Sequence, residues 1–312
     1  MTKVVTLTPN PAIDVSTSVD KVAPTRKLRC SSQQRDPGGG GINVARVVKR
    51  LGEDVAAVYL CGGSTGQLLR QLVEHEGINS HVLAFSGETR EDFTVNETST
   101  GKQFRFVLPG PTITANEWFA LLDKLAAIRP APAYIVASGS LPPGLPDNSY
   151  ARAARIAREI GAKFVLDTSG PALRAALTES IYLVKPNLRE LAELAGKTLS
   201  DQLAWLEASR SLIADGHVEI VALTLGHRGA LLVTNKNAWR AKALSIKPVS
   251  VVGAGDSFLG GMVFRLAAGA NLEDALRTAV AAGSAALLSP GTGLCRPEDV
   301  AALYPEVAIE PI

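Results

Sequence analysis

The sequence predicts a three-layer α/β fold: a mostly parallel central sheet flanked by helices, with a small β-sheet lid projecting from it. Three observations predict it. Short apolar runs alternate with segments of helical period, the rhythm of a parallel sheet whose crossovers are helices. Two stretches, residues 13–36 and 89–108, break that rhythm with strand-like composition and no helix between, and the turn signal Ser99-Thr100-Gly101 lies in the second. The chain has 312 residues, 46% of them hydrophobic, enough for one large core, and no linker, repeat or low-complexity tract divides it. A single domain over residues 1–312 is expected.

The elements follow in order. Residues 4–7 read as a first strand. Residues 43–51 place Val44, Val47, Val48 and Leu51 on one face and stop at Gly52, as a helix with a glycine terminator should. Residues 56–60 are strand-like, and residues 67–76 are helical through Leu68, Leu69, Leu72 and Val73. Strand–helix pairs then recur at 134–137 and 148–160, 163–166 and 172–177, and 181–184 and 187–194. A helix over 201–215 precedes strands at 219–225 and 230–234. The last helices, 256–268 and 272–288, are rich in Ala and Gly and suit close packing. The two irregular stretches together predict a small antiparallel sheet, which on an α/β core serves as a lid, an oligomer contact or both.

Charge and cysteine content narrow the functional classes. With 32 basic and 30 acidic residues the net charge is +2, so no broad field exists for nucleic acid or anionic membrane, and the charges that matter are local. Cys30, Cys61 and Cys295 lie far apart without C-x-x-C spacing, a pattern of reduced thiols in the cytoplasm rather than a disulfide framework or zinc site. The apolar part of the N-terminus is too short for a signal peptide, and no run of about 18 apolar residues suggests a membrane span.

Three motifs carry chemistry. The first is Pro37-Gly38-Gly39-Gly40-Gly41-Ile42-Asn43-Val44-Ala45-Arg46, where glycines before a helix let backbone approach a ligand closely. A plain loop with Asn43 as helix N-cap is the other reading. The dinucleotide pattern G-x-G-x-x-G fails at Asn43, and no G-x-x-x-x-G-K-[ST] occurs. The second is Val251-Val252-Gly253-Ala254-Gly255-Asp256-Ser257-Phe258. Bare amides at a helix start form a hole for a developing anion, and Asp256 beside them can take a hydroxyl proton, a combination suited to phosphoryl transfer. An ordinary N-cap aspartate after a glycine turn fits the same residues. A nucleophile elbow G-x-S-x-G does not, since Leu259 stands where its last glycine belongs, and of the four histidines only His227 lies in a plausible functional loop. The third motif, Lys185-Pro186-Asn187-Leu188-Arg189-Glu190, reads as a capping box, and also as a lysine near phosphates with Asn187 and Glu190 near the water shell of Mg2+.

These motifs in this order resemble the ribokinase-like, or phosphofructokinase B, family of sugar kinases. The segment Val252-Gly253-Ala254-Gly255-Asp256-Ser257-Phe258-Leu259-Gly260-Gly261 is its most specific mark, and the resemblance runs from Thr6 to Thr292. It implies the ribokinase-like fold, with ATP as phosphoryl donor, Asp256 as catalytic base and Gly253, Ala254 and Gly255 as the anion hole. Residues 27–30, 37–46, 138–144 and 183–187 are similar to the branch of the family that phosphorylates fructose 6-phosphate. Relatives acting on fructose 1-phosphate carry lysine where this chain has Gly40; tagatose 6-phosphate and fructose 1-phosphate stay as alternative acceptors. A non-catalytic sugar-phosphate sensor is the reading from another class.

The resemblance further implies that Asp14, Gly39, Gly40, Gly41, Asn43 and Ser140 hold the sugar. Its phosphate would meet Arg90 first and Lys27 second, with Arg29 and Arg105 as further cations; each also reads as a solvated surface charge. Lys185, Asn187, Thr224, Gly226, Gly229 and Ser284 would surround the nucleotide. Potassium would sit among Ser250, Val252, Ala286, Ser289 and Gly291, although Ser289 and Gly293 stand where that branch has asparagine and arginine. A homodimer through the lids, and inhibition by a second MgATP, are implied as well.

Overall fold

In the computed structural model, residues 2–31 and 33–312 are described. The chain opens with strand β1 (Val4–Thr8), which runs into β2 (Ala12–Val19) and β3 (Gln34–Gly38) before helix α1 (Gly40–Arg50). Next come β4 (Val55–Cys61), α2 (Gly63–His75) and β5 (Asn79–Ala84), then β6 (Arg90–Glu97), β7 (Gln103–Phe106) and α3 (Ala115–Ala126). The middle alternates β8 (Tyr134–Ser138), α4 (Ser149–Glu159), β9 (Lys163–Asp167), α5 (Gly170–Ala176) and β10 (Ile181–Val184). Two helices, α6 (Leu188–Ala195) and α7 (Gln202–Ala214), lead to β11 (Val218–Thr224), β12 (Ala230–Thr234) and β13 (Ala238–Ala241). The chain ends with α8 (Ala254–Ala267), α9 (Leu272–Ala286), α10 (Pro297–Leu303) and β14 (Ile309–Pro311).

Ten strands form one sheet in the order β14-β13-β12-β11-β10-β9-β8-β1-β4-β5. From β5 to β11 every neighbour is parallel, and β12, β13 and β14 add an antiparallel edge. β1, β4 and β8 are buried along their whole length, as parallel strands covered on both faces must be. Alternation along β1 sends Val4 to one core, with residues of α1, α8 and α9, and Val5 and Leu7 to the other, with residues of α3, α4 and α7. The Ala/Gly content of the last helices is used as expected: a Cβ on Gly261 would stand 2.8 Å from the Ala282 Cβ, so α8 and α9 pack nearly backbone to backbone.

A second, four-stranded sheet in the order β3-β2-β6-β7 is built from the two irregular stretches. Its outer pairs are antiparallel, but its central pair, β2 with β6, is parallel, which corrects the all-antiparallel expectation. The reason lies in the larger sheet. β2 and β6 follow β1 and β5, which run the same way, so both leave the core in one direction. Asp14 of β2 stands opposite Asp36 of β3 and Asp92 of β6, a row of carboxylates that the pairing alone creates. Across β2, Val15 pairs with Phe93, itself opposite Phe106; Phe93 is 38% and Phe106 54% exposed.

Candidate active site

Four adjacent strands, β10-β9-β8-β1, deliver Lys185, Asp167, Ser138 and Thr8 to one edge of the large sheet. The carboxyl edge of a parallel sheet is where its loops converge and ligands bind. Helix α8 starts beside this edge. Gly253 caps it in the left-handed conformation, φ 75° and ψ 0°, with no side-chain cap bond. The positive φ favours glycine, and a Cβ there would also press on Leu294 Cδ2 at 2.6 Å. The first bond of the helix runs from the Ser257 N–H to the Gly253 carbonyl. Helix geometry therefore leaves the amides of Ala254, Gly255 and Asp256 without intrahelical acceptors.

Asp256 is not the N-cap; it lies three residues inside α8, and its Oδ2 accepts from Asn43 Nδ2 at 2.9 Å. Burial and the nearby Asp167 charge raise its pKa to about 6, against the pull of Asn43, Lys185 and Arg105. Lys185 is 6% exposed, and its Nζ pairs with Asp167 at 3.1 Å. Burial alone would depress the lysine's pKa; Asp167, with Asp256 and Glu190, raises it instead, so the ammonium is held charged. That ammonium lies 3.6 Å from where a Gly255 Cβ would be, directly beside the bare amides.

The glycine block differs in detail from expectation. α1 begins at Gly40, with Gly39 as N-cap at φ 102°, so Asn43 is a buried residue of the first turns and not a cap. Glycine is needed at the helix start for space. A Cβ on Gly40 would stand 2.2 Å from Ser138 Oγ, and one on Gly41 2.4 Å from Thr8 Oγ1. The block thus presses α1 onto the ends of β1 and β8, and this contact brings Asn43 to Asp256.

A cleft of about 310 Å3 lies between the two sheets. Asp14, Gly39, Gly40, Asn43, Arg90, Arg105 and Ser140 line it together with Glu190, Val252, Gly253 and Asp256. Gly41 lies beneath it, against β1. Burial and Asp92 raise the Asp14 pKa to about 7, opposed by Arg105 and Arg46. The cations divide. Arg90 donates to the Asn10 and Leu108 carbonyls and pairs with Asp92 at 3.3 Å, so it is bound within the protein. Arg105, on β7, lines the cleft with its side chain exposed. Lys27 and Arg29 sit on the exposed loop between β2 and β3, outside the cleft lining.

The third motif forms a capping box at the start of α6: Asn187 accepts from the Glu190 N–H and Glu190 from the Asn187 N–H. Thr224 bridges to Asn187 and donates its N–H to the Pro186 carbonyl at 3.0 Å. The turn from Gly226 to Gly229 follows, so Asn187 and Thr224 meet beside it. Ser284 lies half-buried on α9, beside Gly283, whose Cβ would stand 3.2 Å from the Ala254 carbonyl. Ser250 Oγ donates to the Gly291 carbonyl at 2.9 Å, the Ser250 N–H reaches the Leu287 carbonyl, and Ser289 donates to Ala286. The proposed potassium residues therefore share one corner, which Gln103 of β7 also joins at 3.3 Å from Ser250 Oγ.

Asp167, Asp92, Ser138, Gln103 and Arg46 contact the candidate residues or one another without any role readable from the motifs. Asp167 had a readable signal: it directly follows the strand-like run 163–166, at the carboxyl end of a parallel strand. The others depend on pairing and packing.

A carboxylate and a buried ammonium beside bare helix-start amides, under a small sheet on a three-layer α/β core, define a phosphoryl-transferring enzyme of small hydroxylated substrates. The chain belongs to the pfkB family of carbohydrate kinases, whose sequence model matches residues 2–299. It is 44% identical over 309 residues to the ATP-dependent 6-phosphofructokinase isozyme 2 of Mycobacterium tuberculosis, covering 99% of this chain and 91% of that protein. To the protein of the same name from Escherichia coli it is 37% identical, covering 97% and 98%. The crystal structure of Escherichia coli phosphofructokinase-2 in complex with potassium superposes with a TM-score of 0.94 at 37% identity, covering 98% of this chain and 99% of that one. The same enzyme in complex with fructose-6-phosphate gives 0.92 at 36% identity, covering 98% and 99%.

Proposed function

We propose that this chain transfers the γ-phosphoryl group of ATP to the 1-hydroxyl of fructose 6-phosphate, giving fructose 1,6-bisphosphate and ADP. The observation that carries this reading is Asp256, held by Asn43 at 2.9 Å, beside the unfilled amides of the α8 start. Asp256 takes the hydroxyl proton as the oxygen attacks. The amides of Ala254 and Gly255, with Lys185, offset the charge on the moving group. Asp14, Asn43 and Ser140 orient the sugar, and Arg105 meets its phosphate as an exposed cation lining the cleft. Thr224, Gly226, Gly229 and Ser284 hold the nucleotide. Positioning and electrostatics supply most of the acceleration. The two relatives named for this activity support fructose 6-phosphate as acceptor.

Mg2+ would neutralise phosphate charge when bound, with Glu190 and Asn187 reaching it through water. The fit is that of an outer-shell site: one oxygen of Glu190 is committed to the capping box, and the residue lines the cleft. Among the described residues no group of three acidic, His or Cys side chains could hold a metal by itself; bound Mg2+ would take oxygen ligands and keep several waters. Ser250, Val252, Ala286, Ser289 and Gly291 would hold K+, since the corner they share presents hydroxyl and carbonyl oxygens, while Arg50 is engaged by the Gly293 carbonyl. The small sheet acts as a lid over the single domain, and its apolar outer face, with Phe93 and Phe106 exposed, pairs two copies as a homodimer. Cys30, Cys61 and Cys295 are free thiols, in keeping with a cytoplasmic enzyme.

A coupled assay of ADP release with fructose 6-phosphate, tagatose 6-phosphate and fructose 1-phosphate tests the reading. The highest kcat/KM is expected with fructose 6-phosphate. A higher value with another sugar phosphate reassigns the acceptor, and sugar binding without ADP release would make the chain a sensor.

A further inference from the structure

Arg46 is the largest charged side chain in the interior, 1% exposed, and the phosphoryl-transfer reading gives it no task. It lies one helical turn beyond Asn43 on α1 and bonds in several directions. Its Nη1 donates to the Pro37 carbonyl at 2.9 Å and to Asn43 Oδ1 at 3.4 Å. Its Nε donates to Glu76 at 2.6 Å, and its Nη2 faces Asp36 at 3.6 Å. Glu76 is fixed in turn by two bonds from Arg50, and Asp36 by Gln34 and Thr292.

We infer that Arg46 is a positioning residue for the catalytic base, acting through the side-chain amide of Asn43. The chemistry of the amide requires it. Asn43 offers a donor on one end and an acceptor on the other. With Oδ1 toward the guanidinium, Nδ2 must face Asp256 and donate to it. Turned over, the amide would set N–H groups against a permanent cation and a carbonyl against a carboxylate, so both contacts would be repulsive. Arg46 thereby selects one of two amide orientations and with it the position of Asp256 Oδ2. Charge compensation for Asp36 and Glu76 alone would need only a cation. The simultaneous reach to Pro37, Asn43, Glu76 and Asp36 needs a planar fork that lysine lacks. Because the same nitrogen grips Pro37 on β3, the base is referenced to the small sheet as well as to α1.

This inference rests on Asp256 being the base. Arg46→Lys is expected to lower kcat about 10- to 100-fold, as loss of alignment does, with KM for ATP changed less than about twofold. In an Asn43→Ala background the same substitution should change kcat less than about twofold, because its route to the base is already gone. Glu76→Gln, which loosens Arg46 from outside the cleft, should act in the same direction more weakly and covers the case in which Arg46→Lys folds poorly. Equal losses with and without Asn43, or unchanged kcat in both Arg46→Lys and Glu76→Gln, would overturn the inference. Failure of the base reading is distinguishable. The Asn43 side-chain amide resonances, followed by NMR without substrate, must shift in Arg46→Lys whatever Asp256 does in catalysis.

Discussion

Replacing Asp256 with asparagine separates two consequences of one carboxylate. The substitution keeps the shape and an oxygen for Asn43 to bond, but removes the charge and the capacity to take a proton. Loss of a general base costs about 10²–10⁴-fold in turnover. The folded carboxyl titrates at about 6 instead of 3.8 because of burial and then Asp167. Roughly nine-tenths of it is therefore ionised at pH 7, and turnover of the native chain should fall about tenfold per unit below pH 6. Stability moves the opposite way. A carboxyl with a raised folded pKa holds its proton more tightly in the native state, so its stabilisation is complete below about pH 4 and is lost as pH rises through about 6. A shift of about two units corresponds to at most about 3 kcal/mol of destabilisation at pH 7. Asp256→Asn should accordingly bind ATP, lose nearly all ADP release and melt a few degrees higher than the native chain at pH 7, with the gain gone near pH 4. Steady-state kinetics and thermal unfolding by circular dichroism at both pH values check this. Turnover within about threefold of the native chain would refute the base assignment, and lost turnover with a lower melting point at pH 7 would make the residue structural.

Arg105→Ala should raise KM for the sugar phosphate about 10- to 100-fold, the worth of a charge-assisted bond, and leave the melting temperature unchanged. Arg90→Ala should lower the melting temperature as well, because Arg90 ties Asn10, Leu108 and Asp92 together; unfolding curves distinguish the two. Gly41→Ala would place a methyl 2.4 Å from Thr8 Oγ1 and 2.7 Å from the Leu7 carbonyl, and should cost about 1–3 kcal/mol of stability in urea unfolding. Asp14→Asn removes a carboxyl whose pKa stands near 7 because of burial and Asp92. Its melting-temperature gain should be larger at pH 8 than at pH 5, since the native Asp14 is ionised in the fold only at the higher value.

Much of the secondary structure was legible because its signals are local. The capping box at Asn187 and Glu190, the strand 181–184 and the glycine start of α8 each lie within a few residues. α3 also had such a signal, Thr114 with Glu117 followed by Trp118, Leu121, Leu122 and Leu125. The edge strand β5, Asn-Ser-His-Val-Leu-Ala, and the short strands β13 and β14 did not, since an edge strand need not be apolar and takes its conformation from the neighbour it pairs with. The parallel pairing of β2 with β6 was unreadable for a related reason: strand direction in the small sheet is inherited from β1 and β5.

Periodicity and glycine turns act over a few residues, so the α/β class, the two interrupting sheet segments and the helix start that presents Gly253, Ala254, Gly255 and Asp256 are written in the local pattern. That Asp256 is held by Asn43, which stands 213 residues earlier, that Asp167 keeps Lys185 charged, and that Asp14, Asp36 and Asp92 form one row came from the assembled fold. It also parted Arg90, engaged within the protein, from Arg105, open to the cleft. Those facts follow from strand order, register and close packing of α1 on β1 and β8, which bring distant residues together and leave no mark in the local pattern.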